Sequence, residues 1–246
     1  MLRLVEKLYG TFTILGYGTR DKRSIRTELR MRSPKTPALA LAAGIFVVIP
    51  PSIAFLDRPL ATFSFTHFHT SRGPFVAVTH LVDGLEIAAL LVLVWAAFIF
   101  ARGRALGAKG LIALRTTLAL FLAIGVKDLA KLAFGRTWPE TWICGNPSFI
   151  RDGAFGFTPF HGGTGWSSFP SGHETLVCAV AGCLWVLAPR LRPLCVAAAL
   201  VVAIGLLGAD YHFLSDVLAG GLLGWMIGIF AARLELPKEL PKPQPV

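Results

Sequence analysis

The chain is poor in charge: Asp, Glu, Lys and Arg make up 15% of its 246 residues, where soluble globular chains carry about 25%. Acidic residues are the scarcest, 14 against 24 Lys and Arg. Of the four cysteines, Cys178, Cys183 and Cys195 lie inside apolar runs, which leaves Cys144 without a loop partner. These shortages exclude a soluble enzyme, a disordered chain and a disulfide scaffold. Apolar residues are in excess instead, at 54% with a mean hydropathy of +0.63. The composition is that of an integral membrane protein.

The net charge of +10 suggests nucleic-acid binding until the charges are placed along the chain. Nine of the 24 Lys and Arg precede residue 36. A basic end joined to apolar spans is a positive-inside anchor, whereas a DNA-binding surface needs a folded soluble domain to carry it. No nucleic-acid partner is expected.

Six apolar stretches stand out: Pro37 to Leu56, Leu81 to Ala101, Leu111 to Ala130, Glu174 to Ala188, Leu194 to Ala209 and Val217 to Ala232. Uninterrupted runs of this kind lack the alternation of barrel strands, so they predict an all-α polytopic membrane protein with a bundle of six transmembrane helices. With the N-terminus inside, 18 Lys and Arg fall on its side of the membrane and six on the other. That imbalance puts both termini in the cytoplasm. The first run is not expected to be a signal peptide, because a basic segment of more than 30 residues precedes it and no clear small-residue cleavage site follows.

Four regions result. Residues 1–36 form a basic cytoplasmic segment, either an interfacial amphipathic helix or a mobile tail. Residues 37–233 form the membrane domain, and 234–246 a Pro-rich disordered tail. Within the membrane domain, residues 135–169 make an aromatic loop too long for an idle connection, suited to the outer interface either as a structural belt or as a lid.

Polar residues interrupt the apolar background in three clusters: Lys131 with Arg136 and Pro139; the run Pro170-Ser171-Gly172-His173; and His212 with Asp216. His173 and His212 are 39 residues apart, or about 58 Å of helix and close to two membrane crossings. Both therefore return to one face, and Lys131, at the end of the third run, shares it. By the charge count this face is extracytoplasmic. Ser171 followed by Glu174 has the capping-box form, so a helix is expected to start there, and a helix N-terminus containing Gly172 is an anion site. Asp216 lies one helical turn after His212, placed to hold the imidazole in one tautomer and stabilise its cation. Lys131 and Arg136 supply positive charge for phosphate oxygens.

Three further features read as structural. Lys127 and Asp128 form an ion pair at a helix end. His80, Asp83 and Glu86 make an exposed polar helix end and not a metal site. Gly220, Gly224 and Gly228 allow close packing within the bundle in preference to dimerisation.

Together the three clusters resemble the type 2 phosphatidic acid phosphatases, a family related to vanadium haloperoxidases and glucose-6-phosphatase. Its pattern is Lys, six residues, Arg-Pro; then Pro-Ser-Gly-His; then Ser-Arg, five residues, His, three residues, Asp. The resemblance covers about Leu111 to Ala232. It implies a six-helix core that hydrolyses lipid phosphates through a phosphohistidine, with no metal and no cofactor. Carried over, His212 is the nucleophile, Asp216 its orienting partner and His173 the acid that protonates the leaving alkoxide. Lys131, Ser171 and Gly172 bind phosphate.

Two positions depart from the pattern. Trp138 stands where the first motif has Arg, and Leu206 where the third motif has Arg, preceded by Gly205 instead of Ser. Each lost donor costs about 2.7 to 4 kcal/mol of transition-state stabilisation. Arg136 is the nearest substitute and Arg151 the second, while Trp138 is free to cover the pocket or meet lipid. The expected activity is hydrolysis of a phosphomonoester or pyrophosphate of an amphiphilic lipid, at the outer face of a bacterial inner membrane. A phosphotransferase with the same intermediate stays open, as does a non-catalytic lipid-phosphate binder or transporter. Topology is testable directly: an impermeant thiol reagent should label Cys144 in intact cells, and labelling that requires permeabilisation would put the loop and the site in the cytoplasm.

Overall fold

The computed structural model describes residues 36–143 and 145–234. The segment 1–35 with its possible interfacial helix, the tail from 235 onward and Cys144 lie outside the described residues. Among the described residues the regular structure is helical: α1 (Thr36–Pro51), α2 (Asp57–Phe68), α3 (Gly73–Thr79), α4 (Leu81–Ala101), α5 (Ala108–Phe134), a single turn α6 (Phe149–Asp152), α7 (Gly172–Leu187), α8 (Arg192–Gly208) and α9 (Leu214–Ala232).

Five of the described stretches are long and apolar enough to cross a membrane: Phe46–Ser71, Gly73–Ala101, Ala108–Phe134, Pro189–Gly208 and Leu214–Ala232. The fourth run expected from the sequence is α7, whose 16 residues measure about 24 Å, less than a hydrocarbon core of about 30 Å. It is packed against α9, α5 and α8, and most of its side chains are buried. Neighbouring protein, and not lipid, is its solvent.

The first run also differs from its expected bounds. Pro50 and Pro51 do not end it, because the chain widens into one π-helical turn over Ser52–Leu56 and continues as α2. A wide turn accommodates the proline rings and the missing N–H donors that a regular helix would not. The span therefore runs on past Leu56 to Ser71 and carries Asp57 into the interior, fully buried.

α7 and α9 form the centre of the bundle. Their approach depends on glycine: a Cβ on Gly220 would stand 2.5 Å from the Ser171 carbonyl oxygen, one on Gly224 2.1 Å from that of Thr175, and one on Gly228 2.2 Å from that of Ala179. The glycine stripe thus faces another helix of the same chain. Around this pair an apolar core gathers Val82, Leu120, Leu176, Val177, Val202 and Leu206. On the outside, α4 exposes Leu90, Leu91, Val94 and Phe98, side chains suited to lipid.

α5 ends at Gly135, which adopts φ 58° and returns its N–H to the Lys131 carbonyl at 2.9 Å. A side chain at this left-handed position would also strike the Thr158 carbonyl oxygen, 1.9 Å from the Cβ position. Replacing Gly224 by Ala should lower the thermal midpoint of the detergent-purified protein, since overpacking costs about 1 to 3 kcal/mol. Gly125→Ala should not, because nothing lies within 4 Å of a Cβ there and Ala favours a helix interior. Equal effects of the two would refute the close-packing role.

Candidate active site

Asp216 lies in the first turn of α9, where free N–H groups and the helix dipole favour an anion. Its Oδ2 accepts the Phe213 N–H at 3.0 Å and the Ser168 hydroxyl at 2.6 Å, and stands 3.5 Å from Nδ1 of His212. His212 occupies the short loop between α8 and α9 and is 5% exposed. Burial lowers its pKa below the ordinary 6.5, against the opposing pull of Asp216. The imidazole is therefore neutral at pH 7. With its Nδ1–H turned toward Asp216, the ring keeps a lone pair on Nε2 for chemistry.

Trp138 covers this imidazole. The ring centroids are 5.1 Å apart, and the indole is fixed by an Nε1–H bond to the Thr164 carbonyl at 2.7 Å and by edge contact with Trp142, which stacks on Tyr211. The place of the family arginine is thus taken by an aromatic roof. Leu206, at the other missing arginine, is fully buried in the apolar core, so no cation stands there.

Ser171 precedes α7 as its N-cap, and its N–H is taken by the Asp216 carbonyl at 3.0 Å. The start of α7 is thereby tied to the start of α9. The expected capping box does not form: the buried Ser171 hydroxyl has no partner. Glu174 turns inward instead, accepting the Cys178 thiol at 3.3 Å, because Gly221 on α9 leaves room beside it. The first N–H groups of α7 are consequently not consumed by a side chain.

Two lysines of α5 reach this helix start. A Cβ on Gly172 would lie 3.6 Å from Nζ of Lys131 and 3.4 Å from Cδ of Lys127. Lys131 Nζ also donates to the Ser167 carbonyl at 2.8 Å, and Lys127 Nζ pairs with Asp128 at 2.6 Å. Burial, and after it the neighbouring positive groups, lower the pKa of His173 from the ordinary 6.5 to about 4, with Asp83 opposing the shift. The structure thus assembles Lys131, Ser171, Gly172, His173, His212 and Asp216, and adds Lys127 and Trp138 to them.

Arg136 is engaged differently from the free cation that its position before Trp138 suggests. Its guanidinium is fully buried, donating to Asp216 Oδ1, to Asp57 Oδ2 at 2.8 Å and to the Ser215 hydroxyl at 2.7 Å. The faces of Phe155, Phe157 and Phe213 surround it at 4.3 to 5.1 Å. Arg151 is half-exposed and held by Asp152 and by the carbonyls of Gly145 and Asn146. His80 pairs with Asp83 at 3.0 Å on the surface.

Asp57, Ser168 and Ser215 belong to the site and carry no sequence motif of their own. Asp57 accepts the Ser215 N–H at 2.9 Å as well as its hydroxyl. The available signal was a carboxylate immediately after an apolar run, since charge at such depth needs a partner. Removing one member of a buried ion network costs about 3 to 5 kcal/mol. Arg136→Ala should therefore lower thermal stability by that order, and Arg136→Ala combined with Asp57→Asn should recover part of it. A phosphate ligand would instead leave stability intact and raise KM.

The sequence profile of the PAP2 superfamily matches residues 112–238. Curated relatives include lipid A 1-phosphatases of Rhizobium etli and Rhizobium johnstonii, 35% and 34% identical over 105 residues. The alignments cover 43% of this chain, and 42% and 40% of those proteins, so the chain spans about two fifths of the curated relatives it matches. Among solved structures, the crystal structure of the first transmembrane PAP2 type phosphatidylglycerolphosphate phosphatase, from Bacillus subtilis, is 19% identical, with 77% of this chain and 93% of that one covered at a TM-score of 0.46. The superfamily match extends over more than half of the chain and takes in Lys131, the run Pro170 to His173, and the pair His212 and Asp216; the chain belongs to the PAP2 superfamily.

Proposed function

We propose that the protein is a membrane lipid phosphatase that hydrolyses a phosphomonoester or pyrophosphate of an amphiphilic lipid through a phosphohistidine on His212. The observation that carries this reading is the buried His212 beside Asp216, next to a helix start whose Ser171 hydroxyl has no protein partner. A binder needs the anion site but not an oriented nucleophile.

Nε2 of His212 attacks phosphorus, and the bond from phosphorus to the ester oxygen breaks. His173 donates its proton to the departing alkoxide. His173 then takes a proton from water, whose oxygen attacks the phosphorus and releases phosphate from His212, restoring both rings. Asp216 stabilises the His212 cation that forms between the steps. Lys131, the Ser171 hydroxyl and the first N–H groups of α7 hold the phosphate oxygens. No metal or cofactor enters these steps.

Lys127 replaces the lost guanidinium charge. Its stem already lies on Gly172, and a rotation of its flexible end transfers the ammonium from Asp128 to phosphate. Arg136 is a positioning residue, holding the Asp216 carboxylate that holds His212. The charge count supports an inner-membrane protein with both termini cytoplasmic and the site facing outward. The lipid A 1-phosphatase activity of two relatives makes a lipid A phosphate the first substrate to assay, beside phosphatidate, phosphatidylglycerophosphate and a polyprenyl pyrophosphate. One observation favours a non-catalytic lipid-phosphate binder: Trp138 and Leu206 occupy both arginine positions. Phosphate release by the purified protein separates the two readings.

His212→Ala should abolish phosphate release. Lys127→Met should lower kcat/KM about 100-fold, in the range of one lost transition-state donor, with partial recovery in Lys127→Arg and a change of only a few-fold in Arg151→Ala. Protonation of His212 removes the nucleophile, so kcat/KM should fall on the acid side below pH 6.5. The same steps need His173 protonated while burial lowers its pKa to about 4, so kcat/KM should fall on the alkaline side as well. Vanadate should inhibit and chelators should not. Full activity in His212→Ala would sink the assignment.

A further inference from the structure

The connection between α4 and α5 is basic and carries no acid. Arg102, Arg104 and Lys109 stand at the adjoining ends of the two helices, and the chain has no Asp or Glu from Ile87 to Lys127. Among the described residues none of the three is paired with a carboxylate; Arg102 lies over the Phe98 ring instead, at 4.6 Å. Lys109 and Lys131 are 22 residues apart on α5, or about 33 Å of helix, close to the thickness of a hydrocarbon core. These cations therefore lie at the opposite membrane surface from the site around His212.

Between Lys109 and the middle of the bundle, α4, α5 and α7 leave a cavity of about 290 Å³. Its walls are apolar, and small residues such as Ala88 of α4 and Ala113 of α5 hold it open. Thr116 also lines it, but its hydroxyl is spent on the Ile112 carbonyl at 2.9 Å. Among the described residues Lys109 alone brings charge to the lining. Ala88 and Lys109 are exposed, so the cavity opens on the outer side of the α4 and α5 pair. Beside Lys109 the Trp95 indole packs on Gly110, where a Cβ would stand 2.8 Å from the ring.

We propose that this cleft binds an anionic membrane phospholipid, with one acyl chain in the cavity between α4 and α5 and the headgroup phosphate on the Lys109 ammonium. Hydrocarbon walls gain dispersion contacts from a chain of their own kind, and inside a bilayer packing of this sort governs association. A cation at the surface end of such a cleft selects a negative headgroup. Free phosphate meets the charge but not the walls. A zwitterionic phospholipid meets the walls but brings its own cation beside the phosphate. Val180 and Leu184 of α7 contribute to the same walls, so the bound chain packs against the helix that Ser171 begins.

The test titrates the purified full chain in a neutral detergent with phosphatidylglycerol and with phosphatidylcholine of identical acyl chains, counting bound lipid by native mass spectrometry. Phosphatidylglycerol is a phosphodiester and not a monoester or pyrophosphate, so the result does not depend on the proposed activity. One hydrogen-bonded contact to a charged group corresponds to about 10-fold in dissociation constant. The natural protein should therefore bind phosphatidylglycerol at least about 10-fold more tightly than phosphatidylcholine. Lys109→Gln should bring that ratio near one, Lys109→Arg should keep it, and Arg104→Gln, outside the lining, should leave it unchanged. Ala113→Phe, which fills the cavity, should weaken both lipids alike. Lys109 is exposed, so its variants test the site even if Ala113→Phe does not fold. Equal affinity of the natural protein for the two lipids overturns the proposal. So does an equal loss in Arg104→Gln and Lys109→Gln, which would make the surface diffusely basic. A loss in Lys131→Gln with none in Lys109→Gln would move the lipid to the catalytic end, and a folded Ala113→Phe protein that binds both lipids as tightly as before would remove the acyl chain from the cavity; either result overturns the site.

Discussion

The guanidinium of Arg136, held between Asp57 and Asp216, is the interaction on which the site depends. A lone charge at this depth is prohibitive, and even an ion pair must recover the desolvation of both partners. Here one planar cation meets two carboxylates and a hydroxyl with separate N–H groups, while three aromatic faces close around it. A lysine has no fork that serves both acids. The network joins the start of α2, the residue after the αL turn at Gly135, and the first turn of α9. It also selects the orientation of Asp216: with Oδ1 committed to Arg136, Oδ2 is left for Ser168, the Phe213 N–H and His212.

Helix packing couples this network to the anion end. Because Gly220 has no side chain, α9 approaches the Ser171 carbonyl, and the Ser171 N–H reaches the Asp216 carbonyl. The start of α7, proposed to hold phosphate, and the carboxylate beside His212 thus belong to one junction. A displacement of α9 relative to α7 would move both together, so glycine spacing on a remote helix face bears directly on the geometry of attack.

How much of this was legible in the sequence follows from how local each interaction is. The spacing of His212 and Asp216 is one helical turn, and the return of His173, His212 and Lys131 to one face follows from helix rise; both are visible in one dimension. The glycine stripe was legible as a packing face for the same reason. Asp57 pairs with Arg136 across 79 residues, and no period announces such a partner. Arg136 looked free because its neighbours in sequence are uncharged, while its partners in space are two acids. Ser171 and Glu174 had the right spacing for a capping box, but Gly221 offered Glu174 a place inward, and tertiary packing overrode the local motif. Lys127 looked like one half of a surface pair because only its ammonium meets Asp128; the contact of its stem with Gly172 is invisible along the chain.

The two substituted arginine positions change the balance of forces at the proposed phosphate site. A guanidinium clamp reads phosphate bidentately and fixes its orientation, whereas lysines contribute point charge on flexible stems. With Trp138 over the imidazole and Leu206 absorbed into the core, orientation of a substrate at the proposed site falls to the groups beside the phosphate, the indole above His212 among them. A phosphate lacking such surroundings gains charge neutralisation without alignment, and alignment is the larger share of what a positioned nucleophile requires. On the proposed reading, the same two substitutions that weaken the phosphate clamp favour an amphiphile over inorganic or short-chain phosphates.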